Sequence, residues 1–162
     1  MERTVDLTAV NRVSTRVELK GVRLVAISAA CNPSISGPSL RPEVNLDCKL
    51  GNYDATTLEV ICDYTFVAHS DQEQAIESTI RYLLQYELAG TETAKPSDLA
   101  EFANANGALH SWPFVREMLY GLTSRMGFPP YTLPLMHFKV EAPPNEQTQD
   151  GVQNKEAPKS PE

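Results

Sequence analysis

The spacing of apolar residues changes along the chain, and each change marks an element. Leu7, Val10, Val13 and Val17 recur at steps of three and four, which predicts a short helix. Alternation then takes over. Val17 and Leu19 share one parity, Val22, Leu24 and Ala26 the other, with Gly21 at the switch. A bulge at Gly21 would return both sets to one face, so a first strand is predicted over about 16–29. The stretch "CNPSISGPS" (31–39) reads as a loop. In a second strand, about 42–50, Val44, Leu46, Cys48 and Leu50 face one way and Glu43, Asn45, Asp47 and Lys49 the other. After the turn "GNYDA", Leu58, Val60, Cys62, Tyr64 and Phe66 mark a third strand at about 56–69. Ile76, Ile80, Tyr82, Leu84, Tyr86 and Leu88 mark a fourth at about 74–88. Four long strands joined by short turns predict a four-stranded antiparallel meander, half exposed, in an α+β fold.

Helices follow. Ser97 is a predicted cap for a short helix over about 97–105, with Glu101 near the capping-box position. "NANG" (104–107) is read as its end. A long helix then runs to about Met126, with Ser111 or a residue just before it as cap, because Pro113 fits best in a first turn. Gly127 and Pro129–Pro130 end it. Trp112, Val115, Leu119, Leu122 and Met126 follow a 3-4-3-4 seam. Phe114 and Met118 widen the apolar arc to roughly 160°, whereas one sheet needs about 100°. The surplus asks for a second cover: another subunit, a ligand, or another element such as the chain's own following segment. The seam is the candidate oligomer interface.

That following segment, "FPPYTLPLMHF", carries Phe128, Tyr131, Leu133, Leu135, Met136 and Phe138 on a proline-stiffened backbone. Such a backbone makes few helical bonds and must lie against something. It would wall an apolar groove beside the sheet, where strand edges pair with extended peptides and loose pockets accept varied side chains. Residues 141–162 differ again. They hold 4 of the 12 prolines, and 2 Lys against 5 acids give −3. With almost nothing to bury, they are expected to form a disordered acidic tail on a 1–140 domain.

Composition narrows the partners. The net charge is −7, so the body carries −7 + 3 = −4, and no Lys/Arg cluster exists. Nucleic acid and an anionic membrane surface are disfavoured. No apolar run is long enough to cross a bilayer, and the first residues lack a signal-peptide core, which favours the cytoplasm. Cys31, Cys48 and Cys62 are odd in number and form no CxxC, so free thiols in a reducing compartment are expected. His69, His110 and His137 lie far apart and outside any catalytic or metal motif. GxSxG, P-loop, GxGxxG and HExxH patterns do not occur. A binding protein without cofactor, rather than an enzyme, is the expectation; the alternative is a ligand-binding or enzymatic domain whose pocket is the same apolar groove, which would need converging titratable groups there.

The stretch "LHSWPFVREMLYGLTSRMGFPPYTLPLMHF" (109–138) resembles the hallmark region of SecB-type chaperones. Its motif is an apolar–Pro–aromatic–x–Arg–Glu helix start, then Arg-x-x-Phe-Pro, then Leu and a final Phe. "RPEVNLD" (41–47) is similar to that family's second strand, and the likeness spans about 16–138. The resemblance implies a homotetramer, a dimer of dimers, that holds unfolded or nascent polypeptides in apolar grooves without ATP for protein export, or alternatively serves one antitoxin. Carried onto matching positions, the groove would include Val44, Leu46, Phe114, Pro129, Tyr131 and Leu133, with Leu40 where the family often has Trp. Export members meet the SecA motor through acidic residues on the first and fourth strands. Gly21, Val25 and Thr79 stand there in this chain, and a proline-rich tail replaces the family's C-terminal helix. Both departures place SecA contact in doubt and resemble more closely the SecB-like chaperones dedicated to an antitoxin.

Overall fold

Asp6 opens the first helix by accepting bonds from the backbone N–H groups of Thr8 (2.9 Å) and Ala9 (3.2 Å). This α1 (Leu7–Ser14) follows a short strand, β1 (Glu2–Val5), and buries Ala9, Val10 and Val13. The computed structural model describes residues 2–35, 39–71, 73–89 and 94–140. The predicted acidic tail, 141–162, lies outside them.

Four strands form the expected antiparallel sheet: β2 (Val17–Cys31), β3 (Arg41–Tyr53), β4 (Thr57–Ser70) and β5 (Glu73–Leu88). Their spatial order is β2-β5-β4-β3. The meander is thus confined to β3, β4 and β5, and β2 lies beside β5 rather than beside its successor. Short turns force β3, β4 and β5 to be neighbours. The nine-residue connection from β2 to β3 (32–40) is long enough to cross the sheet end, and apolar alternation carries no information about which strand is adjacent.

The bulge expected at Gly21 is present as a register shift between Leu19 and Gly21. A second shift, between Leu24 and Ala26, escaped the sequence reading. It turns Ile27, Ala29 and Cys31 to face the same way as their partners Ile80, Ser78 and Ile76.

The helical region is one continuous helix, α2 (Pro96–Arg125), not a short and a long one. Lys95 occupies the cap position without a side-chain bond, and Pro96 follows at N1, so Ser97 does not cap. "NANG" continues the helix because Gly107 is needed by the packing. A Cβ there would lie 2.6 Å from Val60 Cγ1 and 3.1 Å from Cys62 Sγ. Pro113 is inside the helix, on its exposed side. The carbonyl it leaves without a partner belongs to exposed Leu109, where water can bond to it. Ser111 is no cap either. It is fully buried, donates to the Gly107 carbonyl (2.5 Å) and shares a 2.7 Å bond with the Tyr64 hydroxyl. The helix ends as expected, with Gly127 at φ 83°.

The core lies between α2 and one sheet face, with Leu58, Val60, Tyr64, Phe66, Ile76, Ile80 and Leu84 buried beneath Leu99, Phe102, Val115 and Leu119. Cys48 and Cys62, expected as free thiols, stand directly opposite across β3 and β4 and are joined as a disulfide. A spacing of 14 residues carries no pairing signal by itself; the strand register supplies it. Cys31 is free and exposed. After α2 the extended segment 128–136 leads to β6 (His137–Val140), which pairs in parallel with β1. Four-residue strands are too short to show a period, so this pair was not foreseen.

Candidate functional site

One apolar face of the sheet is covered unequally. α2 lies over β3 and β4, so that Gly107 meets both Val60 and Cys48, while among the described residues β2 at the far edge stays largely exposed. Leu19, Leu24 and Ile27 of β2 pair with Tyr86, Tyr82 and Ile80, which face α2 and are buried. Opposite partners in an antiparallel pair point to the same face. The three β2 residues therefore face the helix side, yet remain 38%, 39% and 44% exposed.

The near flank of α2 completes this margin. Phe114, 44% exposed, sets its ring 6.3 Å from that of Tyr82, and His110 sets its ring 5.8 Å from that of Tyr86. Tyr82 donates to the Phe114 carbonyl at 3.2 Å. Burial, and to a smaller degree the Glu117 carboxylate, pushes the Tyr82 hydroxyl up to about 12, so it keeps its proton and its bond. The Tyr86 hydroxyl is raised further by burial and bonds His110 Nδ1 at 3.0 Å. Burial lowers His110, which favours the neutral ring.

A second margin lies across α2. The side chain of Trp112 points away from that of Phe114, and its Nε1 donates to the Pro134 carbonyl (3.0 Å). The backbone N–H of Tyr131 donates to Thr123 Oγ1 (2.9 Å). Phe128 and Leu133 are buried. These four attachments hold segment 128–136 as a strap along the helix, with the Tyr131 ring tilted at 5.4 Å from that of Phe66, the partner of Val44. Val44, Leu46 and Leu40 are half-buried beside it, Pro129 is exposed and Leu135 is 65% exposed.

The expected groove is therefore two margins. Leu40, Val44, Leu46, Pro129 and Tyr131 belong to the strap side, and Phe114 to the β2 side. Leu133 is taken up by the core, at 1% exposure. The seam offered for subunit contact serves the protomer itself: Trp112, Val115 and Leu119 are buried, and Leu122 and Met126 pack on the core half-buried. The apolar residues that α2 leaves outside are Leu109, Phe114 and Tyr120. Leu19, Leu24 and Ile27 were missed as site residues. Leu19 and Leu24 were read only as members of one bulged apolar face and Ile27 was not singled out; the strand order is what puts that face at a sheet edge.

The other sheet face is mainly polar, with Ile61, Val67 and Leu83 half-buried among charged and hydroxyl side chains. Arg81 forks onto Asp63, with Lys49 3.4 Å from the same carboxylate, and the arginine's bonds hold that carboxyl below its usual range. Among the described residues no cluster of His, Cys, Asp and Glu is suited to a metal, and no helix is long and apolar enough to cross a membrane.

Among solved structures, the SecB-like chaperone Rv1957 of Mycobacterium tuberculosis, determined in complex with a ChAD peptide from the Rv1956 HigA1 antitoxin, superposes with a TM-score of 0.73. The fold is SecB-like. The match covers 79% of this chain and 96% of that one, at 19% identity. A Streptococcus agalactiae protein of unknown function is a more distant match, with a TM-score of 0.46, 17% identity and coverage of 74% and 97%. The sequence matches no family model and no curated protein. The SecB-like fold accounts for the α+β order reported above, including the single sheet with α2 laid on one face.

Proposed function

We propose that the protein is an ATP-independent holdase that keeps unfolded or nascent polypeptides in extended form along the apolar margins flanking α2. One observation carries this reading: Leu19, Leu24, Ile27 and Phe114 stay exposed beside a strand whose outer edge has no partner among the described strands. An extended client can pair with such an edge and lay alternate side chains on the apolar strip. Each Å² of apolar surface removed from water contributes about 25 cal/mol, less the cost of ordering the client. Single margins then bind weakly, and several engaged at once bind well. The homotetramer, a dimer of dimers, belongs to this reading because it would multiply the margins. A cytoplasmic setting fits it too.

A second reading is that the client is one dedicated antitoxin. It is favoured by the antitoxin peptide held by the M. tuberculosis chaperone of the same fold. Delivery to SecA is less favoured, since Gly21, Val25 and Thr79 bring no charge to the positions where export members are acidic.

The test is suppression of aggregation of a slowly refolding protein, with and without ATP. Protection of many clients, unchanged by nucleotide, supports the general holdase. Protection of one antitoxin alone supports the dedicated form. No protection and no affinity for unfolded chains refutes both.

A further inference from the structure

Cys48 and Cys62 lie beneath Gly107, where α2 comes close to the sheet. Both are buried, and a Cβ at Gly107 would sit 3.1 Å from Cys62 Sγ and 3.3 Å from Cys48 Cβ. We propose that this pair is a redox switch that sets how closely α2 seats on β3 and β4.

The space above the sulfurs decides the matter. Reduction by a dithiol breaks the Cys48–Cys62 bond. Two electrons and two protons enter the protein, two thiols form, and the dithiol leaves as its own cyclic disulfide. Non-bonded sulfurs must keep van der Waals separation, so two thiols need more room than one bonded pair. Along the strands they cannot spread freely. The pairs Leu46–Tyr64 and Leu50–Val60 flank them in register, and Val60 itself is against Gly107. Toward the helix there is no gap. The room comes from α2 lifting away near Gly107.

Movement there has a defined route outward. Ser111, one turn on, is bonded to Tyr64 on the sheet, and Trp112 beside it holds the strap through Pro134. Lifting α2 strains both bonds and loosens the strap that carries Tyr131. Any resulting change in client binding rests on the function proposed above, whereas the seating of α2 does not.

The experiment uses the full chain carrying Cys31→Ser, which removes the exposed free thiol. After air oxidation, alkylation of the denatured protein is expected to label no cysteine, and two after treatment with dithiothreitol. Hydrogen exchange at the amides of residues 103–112 is expected to speed up by about tenfold on reduction. The variant that also carries Cys48→Ala and Cys62→Ala has neither sulfur, and is expected to exchange slowly in both conditions. Two labelled cysteines after oxidation, or exchange that reduction leaves unchanged, overturns the proposal. So does an equal response of the double-alanine variant. If that variant does not fold, the comparison within the Cys31→Ser protein still decides. Holdase activity enters none of these readouts, so its absence would leave them standing.

Discussion

At Gly107 a single hydrogen stands where any side chain would collide with Val60, and this decides how α2 lies. Gly107→Ala puts a carbon 2.6 Å from Val60 Cγ1, in a core with no slack. Overpacking of this kind costs about 1–3 kcal/mol, to be read as a lower urea midpoint. Gly121 gives the contrast. An added Cβ there meets only the flexible end of Arg125, so Gly121→Ala is expected to stabilise by up to about 1 kcal/mol through helix propensity. The same local rules explain a misreading. Gly and Asn in "NANG" are poor helix formers, so an interruption was expected, but tertiary packing needs the missing side chain. Pro113 misled similarly, because only the burial pattern reveals that Leu109 faces water. His110 yields a pH prediction. Its pKa is lowered by burial, so below the ordinary 6.5 the unfolded chain binds a proton that the folded chain resists. Stability should therefore be full above about pH 6.5 and decline as pH falls below it, levelling off beneath the folded value. Thermal melts of the wild type and His110→Gln between pH 8 and 5 should differ in that slope; equal slopes would remove His110 as the cause.

Among the elements, the four strands were legible because alternation persists for many residues, and even the Gly21 bulge showed as a parity switch. The end of α2 was equally plain from Gly127 and the prolines. Less legible was the role of each apolar surface. Trp112, Val115 and Leu119 read as a packing seam for a second subunit because sequence spacing defines a face but not its cover; within the protomer the sheet and the strap lie against that seam. Leu133 was assigned to a groove and is core. Leu133→Ala is thus expected to cost about 2–5 kcal/mol of stability. Val44→Ser with Leu46→Ser, at half-buried positions, should cost less folding and more client binding. Denaturation curves and binding to an unfolded polypeptide, measured on the same samples, separate the two. If Leu133→Ala folds as well as the wild type, the strap is not anchored as described.

For the whole molecule, the uncovered edge strand matters most. β2 is 15 residues long, ends the sheet and exposes Leu19, Leu24, Val25 and Ile27. Among the described strands its outer edge is unpaired, and an apolar edge of that kind invites pairing, so a client or a second copy is expected to cover it. Light scattering at micromolar concentration is expected to show a dimer or tetramer, and a steady monomer of 17.9 kDa would count against assembly. The strand order that creates this edge could not be read from apolar pattern, although the likeness of residues 109–138 to SecB-type chaperones implied the fold. The central claim is that the apolar margins hold non-native chains. Its most direct test is the aggregation of a slowly refolding protein without nucleotide, comparing the wild type with the variant Leu24→Ser/Phe114→Ser, both shown to fold by their melting curves. The wild type is expected to delay aggregation at near-stoichiometric amounts, and the folded double variant to delay it much less. Equal protection by both proteins, or none from the wild type, would contradict it.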